Sequence, residues 1–275
     1  MMNILTFDIE DWYHNLIRGE IKDRNYSVLE KLEQLLLLFE KNKVRPTFFV
    51  VSSFAQKHPE LIKKIAKQYD IGSHGHKHDV VNSMSLKEFE KDIKQSIEIL
   101  EDITGNKIIK YRAPGFSIPD KSYFDVIAAT QIEIDSSLSA VNHFYGKKIL
   151  EQDKFCLINC KNKLIKEFPP SVIRVFGRKA GFLGGGYFRL LPSFLLEKQI
   201  SNRDDYALLY LHANDFDTNI PKIQGISPVE QFRRRVGIKH SEQKLLKLVN
   251  KFHFVDIASA VAMTDWSKVE VRDLR

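Results

Sequence analysis

Apolar positions along this chain alternate between two spacings. Short runs rich in β-branched and aromatic residues, "NILTFDI", "RPTFFVVS", "YDIGSH", "IKYRAP", "IEIDSS", "KEFPPS" and "YALLYLH", read as strands. Between most of them the apolar positions recur at helical spacing, predicting helices over Ser27 to Asn42, Pro59 to Gln68, Leu86 to Thr104, Pro119 to Thr130, Pro192 to Ile200, Pro228 to Val236 and Ser241 to Lys251. Several of these begin at or just after a proline, which suits the first helical turn. Strand and helix in alternation are the signature of βα units around a parallel sheet or barrel. The stretch from Val141 to Arg189 is less regular, and "VFGRKAGFLGGGYFRLLP" is too glycine-rich for a continuous element. No repeat or linker interrupts the pattern, so the expectation is one α/β domain over residues 1–275 with an irregular excursion at about 141–189.

Composition sharpens this only slightly. With 43% hydrophobic residues in 275, the chain can bury a substantial core. The formal charge of +7 raises the question of an acidic partner. Most lysines, however, are interspersed with acids at helical spacings, as in "SLKEFEKDIKQSIEILED", the pattern of a solvated helix face. The exception is "FRRRVGIKH", Phe232 to His240, through which a phosphate or a membrane surface would be met. No basic stripe interleaved with aromatics occurs, so nucleic acid is not expected as a partner. Cys156 and Cys160 form a lone C-x-x-x-C pair, which reads as reduced thiols rather than a zinc site or a disulfide. The start "MMNILTFDIE" lacks the marks of a signal peptide, and the longest apolar run, Leu35 to Phe39, falls far short of the roughly 20 residues of a membrane span. The expectation is a cytoplasmic protein, with contact to a lipid carrier or membrane surface left open, as is the oligomeric state.

The chemistry gathers at the strand ends. In "LTFDIEDWYH" three carboxylates follow an apolar run, and positions two apart on a strand share a face, so Asp8 and Glu10 can point together into a mouth. Asp11 is the alternative to Glu10. In "GSHGHKHD" the imidazoles of His74 and His78 are four positions apart and can converge on a divalent metal, while His76 points to solvent or supports the others. Arg112 in "YRAPGFS" ends an apolar strand and is costly to bury without a carboxylate, which Asp8 can supply. His212 in "YLHANDFD" follows an apolar run, where either a structural or a catalytic imidazole can sit.

Taken in this order, FDIED, SHGHKH, RAPGFS, IDSS and LH resemble the polysaccharide deacetylase family, relatives of the chitooligosaccharide deacetylases. The likeness is strongest to a subgroup with a "DVEDW"-type first motif, a "GGGYFRLLP" segment and an "LHPWEFD" segment; here these read "DIEDW", "GGGYFRLLP" and "LHANDFD". The resemblance implies a distorted (β/α) barrel of about seven parallel strands and the hydrolysis of an acetyl group from an N-acetylated sugar. It implies one divalent metal, zinc first and cobalt or nickel also admitted, held by Glu10, His74 and His78. It also implies Asp8 as general base, Arg112 as its partner, and His212 as general acid oriented by Asp135. Trp12, Tyr13, Pro114, Gly115, Tyr187 and Arg189 are the expected substrate contacts.

The missing leader favours an intracellular sugar intermediate of a cell-surface polysaccharide, glycolipid or nucleotide-sugar pathway. Two alternatives stand beside this: hydrolysis of another amide of the cyclic ureide type, and a catalytically inactive carbohydrate-binding relative.

Overall fold

In the computed structural model, residues 1–14, 27–161, 163–175 and 177–274 are described. Along them run strands β1 (Met2–Ile9), β2 (Thr47–Val50), β3 (Asp70–Ser73), β4 (Lys110–Tyr111), β5 (Ile134–Asp135), β6 (Cys156–Asn159) and β7 (Leu164–Glu167). A hairpin follows, β8 (Val172–Val175) and β9 (Arg178–Phe182), and then β10 (Tyr206–His212), β11 (Phe254–Val255) and β12 (Val271–Arg272). The helices are α1 (Leu29–Lys41), α2 (Ser52–Lys57), α3 (Pro59–Ala66), α4 (Leu86–Thr104), α5 (Lys121–Ala128), α6 (Gly185–Leu190), α7 (Ser193–Ser201), α8 (Pro228–Arg235), α9 (Ser241–Lys251) and α10 (Ile257–Met263).

The central sheet runs β10-β1-β2-β3-β4-β5-β7 with every neighbouring pair parallel, which makes the expected seven-stranded parallel array. β6 adds antiparallel to β7, β12 extends the edge, and β11 pairs with the start of β1. The array curls back without a continuous closing ladder. Ser171 donates its backbone N–H to the Leu208 carbonyl, and Tyr210 donates to the Leu183 carbonyl, so irregular chain stitches the open edge of β10. That incomplete closure is the distortion of the barrel.

Sequence explains most of the frame. β1 is buried along nearly its whole length because strands flank it on both sides, Leu5, Phe7 and Ile9 join the cluster that holds Leu32, Leu35 and Phe39 of α1, and Ile4 joins a second cluster with Phe49, Ile134 and Leu208 of other strands. α4 begins with a reciprocal cap between Ser85 and Glu88, ends at Gly105 in the left-handed conformation, and buries Phe89, Ile93, Ile97 and Leu100 along one stripe. α3 and α8 start on Pro59 and Pro228 as the proline rule predicts.

The glycine-rich excursion departs from expectation. Instead of an irregular run it holds the β8–β9 hairpin and the short helix α6, with Phe176 outside the described residues. Tertiary packing overrides the weak helix propensity of "GGYFRL": Phe188 and Arg189 are buried, and Gly184 lies so close to the Tyr210 carbonyl that any Cβ there would collide with it. Cys156 and Cys160 are free and buried. Among the described residues no helix is long and apolar enough to cross a membrane.

Parallel register brings the motifs together. Asp8 on β1 pairs with His212 on β10, and Ser73 on β3 pairs with Tyr111 on β4, so that the following residues His74 and Arg112 are neighbours. Tyr111 in turn pairs with Asp135 on β5. Every strand in this set presents its carboxyl end to the same mouth.

Candidate active site

At that mouth Asp8, Glu10, His74 and His78 are buried side by side. Glu10, His74 and His78 offer ligand atoms that all lie within 4.8 Å of one another. Glu10 Oε2 is 2.7 Å from His78 Nε2. His74 Nδ1 donates to the Arg112 carbonyl at 2.8 Å and His78 Nδ1 to the His14 carbonyl at 3.2 Å. Those two bonds fix the tautomer and turn both Nε2 lone pairs toward the carboxylates, the arrangement that metal-ligating histidines require. A carboxylate with two oriented imidazoles fits a divalent ion of the zinc type. Asp11 is directed elsewhere: its carboxylate accepts from the backbone N–H groups of Trp12 and Val28. The geometry therefore favours Glu10 over Asp11.

Arg112 is fully buried. It donates to Asp8 Oδ1 at 2.7 Å, to Thr6 Oγ1 at 3.0 Å and to Ser136 Oγ at 2.9 Å, and its guanidinium carbon lies 4.2 Å from the Phe49 ring centre. A buried cation so fully paired is one the fold can hold. The other oxygen of Asp8 looks into the mouth, 3.8 Å from His74 Nε2 and 3.7 Å from His212 Nε2.

The partner of His212 differs from expectation. Its Nδ1 donates to Asp215 at 3.1 Å, and the Asp215 carboxylate also accepts from the His212 backbone N–H at 2.9 Å. Arg189 Nε donates to the other Asp215 oxygen at 2.8 Å. Asp135 lies one layer deeper, accepting from the backbone N–H and the hydroxyl of Ser137. Ser137 Oγ in turn accepts from the Ala113 backbone, so Asp135 braces the turn that carries Pro114 and Gly115. The physical reason is local: Asp215 sits in the 3₁₀ turn directly after His212 and reaches back over it, whereas Asp135 is engaged by Ser137 and by the Glu167 carboxyl of the neighbouring strand.

Electrostatics follow from this packing. Burial would raise the Glu10 carboxyl, but His78, with His212 and His74, brings it down to about 2. Burial holds the His74 imidazole down to about 4 despite Asp8. His212 would also be lowered by burial, yet the Asp215 hydrogen bond and charge lift it to about 9, so it carries a proton at neutral pH.

The remaining expected contacts divide. Trp12 is buried and lines a cavity of about 220 Å³ that reaches His212 and Asp215. Tyr13 accepts from Lys57 at 2.7 Å on the rim. Gly115, at φ +61°, lies under Tyr145, where a Cβ would come within 2.9 Å of the ring. Tyr187 stands over Gly181 of β9 and is not among the residues lining the cavity, whereas Arg189 lines it and at the same time supports Asp215. His76 is buried against Ser52 at 2.9 Å rather than facing solvent. Sequence reasoning missed Asp215 and Tyr145: the short spacing of Asp215 from His212 did not by itself set it above Asp135, and Tyr145 left no signal.

Two family models match this chain. Residues 4–133 match Polysaccharide deacetylase, and residues 136–262 match a Domain of unknown function (DUF3473). Over 89 residues, 32% of the chain, it is 34% identical to the peptidoglycan-N-acetylmuramic acid deacetylase PdaC of Bacillus subtilis. The matched stretches take in only 19% to 32% of the curated relatives' own lengths. A solved structure from Mycobacterium smegmatis, provisionally assigned as a polysaccharide deacetylase, is similar over 100% of this chain and 93% of its own, with a TM-score of 0.69 at 17% identity. A CE4 family pseudoenzyme from Bacillus anthracis is similar over 99% and 69%, with a TM-score of 0.52 at 12% identity. At these identities the likeness is one of fold.

Proposed function

From a chain whose residues 4–133 carry a polysaccharide deacetylase domain, we propose that the protein is a metal-dependent hydrolase that removes the acetyl group from an N-acetylated sugar. The observation that carries this reading is the cluster of buried Asp8, Glu10, His74, His78 and Arg112 with the partly exposed His212 at the carboxyl ends of the strands. An inactive relative has no need to keep all six.

Glu10, His74 and His78 would hold the ion, which when bound supplies Lewis-acid activation of water and of the acetyl carbonyl. Asp8 is held in place by Arg112 on one oxygen and presents the other to the mouth, as the base that takes the proton of the attacking water. The Gly115 backbone N–H would serve the oxyanion that develops on the carbonyl. His212, protonated and steered by Asp215, gives its proton to the departing amine as the C–N bond breaks, leaving acetate and the free amino sugar. Base and acid thus approach the scissile amide from different strands.

Acetate release from a panel of N-acetylated sugars, sugar nucleotides and lipid-linked acceptors tests this. Activity that disappears in Asp8→Asn and His74→Ala is the expected result. Hydrolysis of small cyclic ureides with none of acetamido sugars would move the assignment to that substrate class.

A further inference from the structure

The cavity at His212 extends away from the catalytic cluster into a basic pocket that removal of an acetyl group does not itself require. Its far wall is the last turn of α8, the segment that stood out in the charge pattern. Arg234 and Arg235 line it together with Gln231, and Asn214 contributes from the β10 side.

Three arginines border the space, and they are not equivalent. The charge of Arg189 is met by Asp215 at 2.8 Å, and its Nη1 donates to the carbonyls of Arg234 and Val236. Asp215 is the single carboxylate among the described lining residues, and it is shared between Arg189 and His212. Among the described residues Arg235 meets two backbone carbonyls, Ile220 and Thr218, and no carboxylate. Those bonds leave its charge uncompensated while fixing its position. Arg234 pairs with Glu230 at 3.3 Å within α8. Arg235 therefore brings to the wall a half-buried, fixed guanidinium whose charge meets no carboxylate among the described residues, with Arg234 and the side-chain amides of Gln231 and Asn214 beside it. That is the chemistry that recognises an oxyanion, since a guanidinium offers paired donors matched to phosphate or carboxylate oxygens.

The geometry points to an oxyanion subsite: the sugar next to the acetamido group carries a phosphate or carboxylate substituent, which Arg234 and Arg235 bind while the amide lies at His212. This rests on the deacetylase reading and narrows its substrate class.

The test compares kcat/KM for acetate release from one neutral N-acetylated oligosaccharide and from two matched forms, one phosphorylated and one carrying a uronic acid. Wild-type protein is expected to prefer one anionic form, and which one identifies the source of the oxyanion. In Arg234→Gln and in Arg235→Gln the anionic-to-neutral ratio should fall tenfold or more, with Arg235→Lys restoring part of it. Arg233→Gln removes the same charge from an exposed position of the same helix and should leave the ratio at the wild-type value. Equal falls in all three glutamine variants would assign the effect to the overall field, and no anionic preference in the wild type would overturn the subsite. If no acetamido substrate is turned over, the deacetylase reading fails separately. Calorimetry with inorganic phosphate and with glucuronate then decides the subsite: saturable binding that is weakened in Arg235→Gln supports it, and its absence in the wild type rejects it.

Discussion

At the scale of single residues, the site depends on how each polar group is spent. Asp8 and Asp11 are three positions apart and both buried, yet one faces Arg112 and the mouth while the other caps backbone N–H groups at Trp12 and Val28. Strand alternation made Glu10 the natural companion of Asp8, and that was legible from the sequence. The partner of His212 was not, because Asp135 and Asp215 both lie within folding reach and only the turn after β10 decides between them. Asp215→Asn keeps the shape and can still accept from Arg189, but it withdraws the charge that holds the His212 proton. Acetate release should fall by about a hundred- to ten-thousand-fold, the range of a general acid's contribution, and the thermal midpoint should drop as well because the buried Arg189 loses its counter-charge, so the rate is read well below that midpoint. Wild-type turnover in this variant would return the orienting role to Asp135.

At the scale of elements, the sequence was clearest where one force dominates. α4 occupies the predicted residues because capping, apolar stripe and length agree, and α9 does so on its apolar stripe and length. Two-residue strands such as β4 and β5 were placed by their apolar runs, whereas β11 and β12 are too short to leave a periodic signal. The excursion was misjudged because its glycines are set by contact rather than by turn propensity. Gly184 meets the Tyr210 carbonyl at the seam where the barrel closes. Gly184→Ala should therefore shift the seam and cost about 1–3 kcal/mol, as overpacking does, read as a lower denaturant midpoint at unchanged slope. By contrast Gly105→Ala, whose Cβ meets open space, strains only a left-handed cap and should cost about 1 kcal/mol, showing that the larger loss belongs to the seam.

At the scale of the whole molecule, parallel register converts scattered motifs into one mouth, and the second family-model region shares in building it. β10, with His212, pairs directly with β1, and α6 and α8 wall the adjoining cavity. Behind the mouth, Asp92 of α4 accepts from the His76 backbone N–H, and burial nevertheless raises its carboxyl from the ordinary 3.8 to about 6. A carboxyl whose folded value lies above its unfolded one contributes stability that is complete below about pH 4 and is lost as pH rises through about 6. Asp92→Asn should remove that part of the slope, so its advantage over the wild type grows between pH 4 and 6, measured by urea midpoints across the range. Parallel pH profiles for the two proteins would show that Asp92 titrates as an ordinary carboxylate.

In the proposed reaction Glu10, His74 and His78 hold an ion without which the Asp8 and His212 pair does no chemistry. The most direct measurement is acetate release by protein stripped with a chelator and then titrated with zinc, cobalt or nickel against an acetamido substrate. No acetate is expected before addition, and activity should saturate at one equivalent of ion per chain, with Asp11→Asn still saturating and Glu10→Gln failing to do so. Full activity in the stripped protein, or an ion bound equally well by Glu10→Gln, would contradict it.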